Sequence, residues 1–121
     1  MIKSRIKSFQ YAFQGIAGLF RTEPNARIHL VLAVLAFILG CFFSLPATDW
    51  CLLALAMAMV FSAEAFNTAI ELLTDLVSPE YHELAGKAKD VAAAAVLLSA
   101  MGAAAIGIIL FLPRFWTLLV G

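Results

Sequence analysis

Hydrophobic and polar positions follow a helical period over the first twenty residues. Ile2, Ile6, Phe9, Phe13, Ile16 and Phe20 are separated by steps of 4, 3, 4, 3 and 4, which lays one apolar stripe along a helix. Lys3, Lys7, Gln10 and Gln14 fall beside the stripe. Such a helix suits the membrane interface, with its lysines toward lipid headgroups. The same pattern also serves a helix packed on protein, and the two can hold together. Thr22-Glu23-Pro24-Asn25 breaks the pattern, with Thr22 as the expected cap and Pro24 in the first turn of the next helix.

From Ile28 to Leu45 the pattern becomes an almost uniform apolar run of 18 residues, about 27 Å at the helical rise and enough for one membrane crossing. Pro46 is the expected stop, and Thr48 or Asp49 the expected cap of the next helix. The second run starts at Trp50, is wholly apolar to Phe61, and then carries Glu64, Asn67, Glu71 and Asp75. Ser78-Pro79 reads as a cap followed by a first-turn proline. The third run, from about Val91 to Leu112, spans about 33 Å and is rich in alanine and glycine, which lets helices approach closely in lipid. Pro113 is its expected end. The pattern predicts an all-α membrane protein forming one unit over 1–121. An amphipathic surface helix (about 2–21) precedes three transmembrane helices (about 28–45, 50–75 and 91–112).

Composition supports this reading. Hydrophobic residues make up 64% of the chain and charged ones 13%, against about a quarter charged in soluble domains. Mean hydropathy is +0.98. A small chain cannot bury that much apolar surface by itself, which argues against a soluble enzyme, a nucleic-acid binder and a disordered regulator. Eight basic and eight acidic residues cancel, so no field for nucleic acid arises. Their placement is informative. Lys3, Arg5, Lys7, Arg21, Arg27, Lys87 and Lys89 belong to one side and Arg114 to the other, so the positive-inside rule puts the N-terminus and the 76–90 segment in the cytoplasm. No cleavable signal peptide is expected, because Lys3–Lys7 is followed by Gln10, Gln14 and glycines. Cys41 and Cys51 read as small residues of an apolar core rather than a disulfide or metal pair. Three helices surround a polar cluster poorly, so a homo-oligomer with sites between protomers is expected; geometry alone does not separate dimer from trimer.

The chemistry concentrates in the second run. Glu64, Asn67, Glu71 and Asp75, at i, i+3, i+7 and i+11, lie within about 80° of arc on one helix face. Glu64 is about 21 Å along the axis from Trp50, below the headgroups, where a carboxylate is costly and must face protein, water, a cation or a substrate. Acids of a frayed interfacial helix end are the plainer reading, and one that suits Asp75. The sharper reading is a reaction site at the membrane surface. A carboxylate held partly out of water can take a proton from an alcohol. Glu71 with Glu23 can hold Mg²⁺, and Lys87 and Lys89 can meet phosphate. Those are the parts phosphoryl transfer needs. Neither a G-x-x-x-x-G-K-[ST] nor a G-x-G-x-x-G loop is present, since Gly86-Lys87 lacks the leading glycine and the following hydroxyl. His29 and His82 are not at zinc spacing, and no Ser/His/Asp or Cys/His arrangement stands out. Residue chemistry therefore reaches an intramembrane carboxylate site with a basic cytoplasmic flank. A proton or cation path through Glu64, Glu71 and Asp75 and a structural partner docking by its third span remain open alternatives.

Glu64-Ala-Phe-Asn67-Thr-Ala-Ile-Glu71, then Asp75, followed by His82-Glu-Leu-Ala-Gly86-Lys-Ala-Lys89-Asp90, resembles the prokaryotic diacylglycerol kinase and undecaprenol kinase family over essentially the whole chain. The resemblance implies a homotrimer in the bacterial inner (cytoplasmic) membrane that phosphorylates a lipid alcohol with ATP and Mg²⁺, at sites shared between neighbouring protomers. It implies Glu64 as general base for the lipid hydroxyl, Glu23 and Glu71 as metal ligands, and Asn67 beside the γ-phosphate and the substrate. It implies Lys89 on a phosphate and Asp75 and Asp90 in the nucleotide site, with Tyr11, His82 and Gly86 around the nucleotide. The surface helix would cover that site. Ala12 departs from members with a serine after the tyrosine, so any hydroxyl contact from that position is absent. Arg27-Ile-His29 and Gly107–Pro113 resemble the undecaprenol branch more, with diacylglycerol the alternative substrate.

Overall fold

Four α-helices account for nearly all of the computed structural model, which describes residues 1–121: α1 (Ile2–Thr22), α2 (Pro24–Phe42), α3 (Ala47–Val77) and α4 (Glu83–Val120). The last three are each long and apolar enough to cross a membrane. The protein is an all-helical membrane protein.

Several boundaries differ from the sequence expectation, each for a local reason. Thr22 does not cap α2, because its hydroxyl donates back to the Gly18 carbonyl at 2.9 Å. Glu23 is the N-cap, in extended backbone, with Pro24 the first helical residue. Arg27 reaches back over this elbow, and its guanidinium donates to the carbonyls of Phe20 and Arg21. It thereby satisfies the open C-terminal end of α1, where a cation is favoured.

α2 stops at Phe42, ahead of Pro46. Ser44 takes a left-handed backbone, φ 53°, its N–H donates to the Cys41 carbonyl, and the Leu45 N–H donates to the Gly40 carbonyl. This is a Schellman turn, completed by the apolar packing of Leu45 near Leu39. Pro46, rather than Thr48 or Asp49, is the N-cap of α3; Asp49 is engaged with Arg114 instead.

Ser78-Pro79 does not open α4. Ser78 caps the end of α3, and α4 begins after His82, whose Nδ1 accepts the Leu84 N–H at 3.1 Å. Pro113 does not end α4, which continues to Val120. A helix-interior proline costs about 3 kcal/mol. Here the turn around it is reinforced, because Arg114 Nη1 donates to the Leu110 carbonyl, Thr117 Oγ1 donates to the Pro113 carbonyl, and Phe115 packs edge-on against Phe43.

α4 packs chiefly on α3, with α2 and α1 more loosely attached. The core lies at the end of the bundle near the 43–46 turn, where Leu45, Leu53, Leu110 and Phe111 meet Leu39, Phe43 and Trp50. Gly40 permits this closeness: a Cβ there would lie 2.5 Å from Trp50 Cη2. Only 12 of 121 residues are buried, so apolar side chains such as Leu55, Leu98 and Ile109 need lipid or further copies to cover them. Cys41 and Cys51 are free and exposed. They face outward from the bundle rather than into its core, because the α2–α3 contact runs along other faces of both helices.

Candidate active site

α3 has 31 residues, about 46 Å at the helical rise and longer than the ~30 Å hydrocarbon core. Measured from Ala47 on a helix along the bilayer normal, Glu64 stands at about 26 Å, Glu71 at about 36 Å and Asp75 at about 42 Å. On such a helix, with the layer beginning at Ala47, Glu64 falls within a ~30 Å apolar core and Glu71 and Asp75 fall beyond it.

Glu64 is 1% exposed, and its Oε1 lies 3.4 Å from His29 Nε2 on α2. The alignment does not make a hydrogen bond, and Oε1 has no other partner. One turn on, buried Asn67 donates from Nδ2 to Glu71 Oε1 at 3.3 Å. Asn67 Oδ1 and Thr68 Oγ1 are buried without partners.

Between α1 and α3 lies a cavity of about 980 Å³ lined by Glu23, Glu71, Asp75, Thr68, Ser62 and Phe20, among others. Phe20 closes one wall by packing edge-on against Phe61. Glu23 reaches the cavity because it is the cap at the α1–α2 elbow; the two α3 acids reach it because they are one turn apart on the same face. Lys89 joins from α4, with Nζ 2.5 Å from Asp75 Oδ1. Gly86 lies one turn after the capping His82, and a Cβ there would sit 3.9 Å from the Tyr81 ring.

A single protomer does not gather every expected residue. Glu64 does not line the α1–α3 cavity. Tyr11 and Asp90 are exposed and do not line it either. Lys87 pairs with Glu83 at 3.7 Å instead. No three His, Cys, Asp or Glu side chains of one chain converge on a metal position. Glu23 and Glu71 nonetheless offer an all-oxygen donor set beside the partnerless Asn67 Oδ1. Two carboxylates with remaining positions for phosphate oxygens and water is the arrangement Mg²⁺ favours.

Residue spacing alone did not bring forward His29 or Thr68. His29 lies 35 positions from Glu64, and its only signal was a polar residue in second place of the apolar run that begins at Ile28. Glu64, Glu71 and Asp75 occupy the second half of α3, its other acid, Asp49, lies in the first turn with Arg114, and the middles of α2 and α4 carry none.

The prokaryotic diacylglycerol kinase family matches residues 10–111. The chain is 40% identical over 108 residues to the undecaprenol kinase of Bacillus subtilis, covering 89% of this chain and 88% of that one. It is 42% identical over 114 residues to the diacylglycerol kinase of Synechocystis, covering 93% of this chain and 65% of that one. It is 35% identical over 94 residues to the diacylglycerol kinase of Escherichia coli, covering 78% and 77%.

Proposed function

The chain belongs to the prokaryotic diacylglycerol kinase family and is a membrane lipid kinase; from that premise we propose that it moves the γ-phosphate of MgATP onto the hydroxyl of undecaprenol, giving undecaprenyl phosphate. The observation that carries the reading is the junction of Glu23, Glu71 and Asp75 on one cavity, tied through Asn67 to the helix face that holds Glu64 deeper in the layer.

Glu64 takes the proton as the lipid O–H bond breaks and the new O–P bond forms, and ADP leaves. Glu23 and Glu71 hold Mg²⁺, which neutralises phosphate charge when bound. Asn67, fixed by its bond to Glu71, orients the γ-phosphate and the acceptor hydroxyl. Lys89 exchanges Asp75 for a phosphate oxygen. Their ion pair is well exposed and screened by solvent, and charge-assisted bonds to phosphate are stronger. Asp75, Asp90, Tyr11, His82 and Gly86 complete the nucleotide surroundings.

A homotrimer supplies what one chain lacks. The small buried core and the exposure of Tyr11 and Asp90 support a site assembled from neighbouring protomers. α1 then lies in the interface of the inner membrane, its stripe in lipid. Support comes from Ile2, Phe9 and Phe13, which are all exposed on the protomer. The basic residues of α1 and of the 76–90 segment support a cytoplasmic ATP side. The near-complete mutual coverage with the Bacillus enzyme supports undecaprenol, and diacylglycerol is the alternative acceptor.

Radiolabelled ATP, purified protein in mixed micelles and the two lipid alcohols side by side test the reading. Undecaprenol should be labelled faster. Glu64→Gln and Glu71→Gln should each lose at least roughly 10²-fold in rate with unchanged circular dichroism. Full activity in both variants overturns the site, and faster labelling of diacylglycerol overturns the choice of acceptor.

A further inference from the structure

Glu64 is the most deeply buried large side chain of the protein, and a charged oxygen without a partner at that depth is unstable in orientation as well as in energy. The one polar side chain that approaches it from another helix is His29, with Nε2 3.4 Å away. His29 is also only partly buried, and it faces a second space. A cavity of about 570 Å³ runs between α2, α3 and α4, walled by residues such as Leu32, Ala36, Val60, Ala103 and Phe111. His29 is the only polar side chain in that wall. Glu64 does not itself line this cavity, so His29 is the side chain that links the apolar space to the buried carboxylate behind it.

We infer that His29 is the positioning residue for Glu64: its Nε2–H holds the carboxylate at the inner end of the apolar cavity, so that the second oxygen faces the hydroxyl of a lipid whose hydrocarbon chain enters there. The inference rests on the proposed role of Glu64 as base. A small rotation of the imidazole turns the 3.4 Å approach into a hydrogen bond, and loose contacts of this kind tighten when substrate arrives. Neutral imidazole has one N–H and one bare nitrogen, so donation from Nε2 leaves Nδ1 as acceptor. No proton is transferred to His29 in this scheme. It acts through Glu64, and its effect belongs to the chemical step rather than to nucleotide binding, because it does not line the cavity that holds Glu23, Glu71 and Asp75.

Two amide substitutions separate position from polarity. The glutamine amide nitrogen reaches the place of Nε2, whereas the asparagine amide stops near the place of Nδ1. In micelles with the lipid alcohol the wild type labels fastest, His29→Asn should lower kcat by roughly 10²-fold, the scale of a misplaced catalytic group. KM for MgATP should stay within about twofold of wild type. His29→Gln should recover most of kcat. Combining His29→Asn with Glu64→Gln should cost no more than Glu64→Gln alone, since the pair acts as one unit. Equal damage in the asparagine and glutamine variants, wild-type kcat in the asparagine variant, or losses that multiply in the double variant would each overturn the inference. Full activity of Glu64→Gln by itself would instead overturn the proposed base. Unfolding midpoints in the same micelles serve as the fold control, and the glutamine variant remains decisive if the asparagine variant is unstable.

Discussion

Removing the ion pair between Asp49 and Arg114 should loosen the end of the bundle remote from the carboxylate site and leave catalysis intact. Arg114 Nη2 lies 2.9 Å from Asp49 Oδ2, and the side chains are 31% and 18% exposed. At that distance the gross attraction is about 6 kcal/mol for an effective dielectric near 20. Dehydrating both ions costs several kcal/mol, and ordering the arginine costs up to about 2 kcal/mol more. The remainder is about 1–2 kcal/mol, between the ~0–1 of an exposed pair and the 3–5 lost on breaking a buried one. A double-mutant cycle with Asp49→Asn and Arg114→Gln, read by SDS titration in mixed micelles with far-UV circular dichroism, should return that value as coupling energy. Asp49 and Glu71 are 22 residues apart on α3, about 33 Å, so turnover per folded molecule should hold within about twofold. Strictly additive single losses would refute the clamp. A large fall in turnover would refute the separation of the two ends.

Gly40→Ala should destabilise the protein by about 1–3 kcal/mol, the range for an overpacked contact, because the new methyl would press on a Trp50 ring already set against Phe37; a shift in Trp fluorescence with a lower unfolding midpoint checks it. Ser44→Gly should stabilise the protein by about 1 kcal/mol and raise the same midpoint, since glycine accepts the left-handed backbone of that turn without steric cost.

The legible part of the protein was set by one-dimensional periodicity. A 3.6-residue apolar stripe, three long apolar runs and a row of acids at i, i+3, i+7 and i+11 are local properties of a helix. They survive any packing, so four helices, the membrane environment and the shared face of Glu64, Asn67 and Glu71 could be read directly. Helix ends were less legible, because Thr22, Ser78 and Pro113 each had competing local hydrogen bonds within two to four residues, and Asp49 had a distant partner in Arg114.

Contacts across helices were not legible at all. His29 beside Glu64, Lys89 on Asp75 and Arg114 on Asp49 join residues 14 to 65 positions apart. Their meeting depends on how α2 and α4 rotate and slide against α3. That choice is made by packing details such as the Gly40–Trp50 contact, in which many weak interactions act together and no residue type announces the result. Sequence alone marked Glu64 as a side chain the membrane would force inward. Tertiary structure decided which of them meet, because pairing needs a distance and a direction that a linear pattern does not carry.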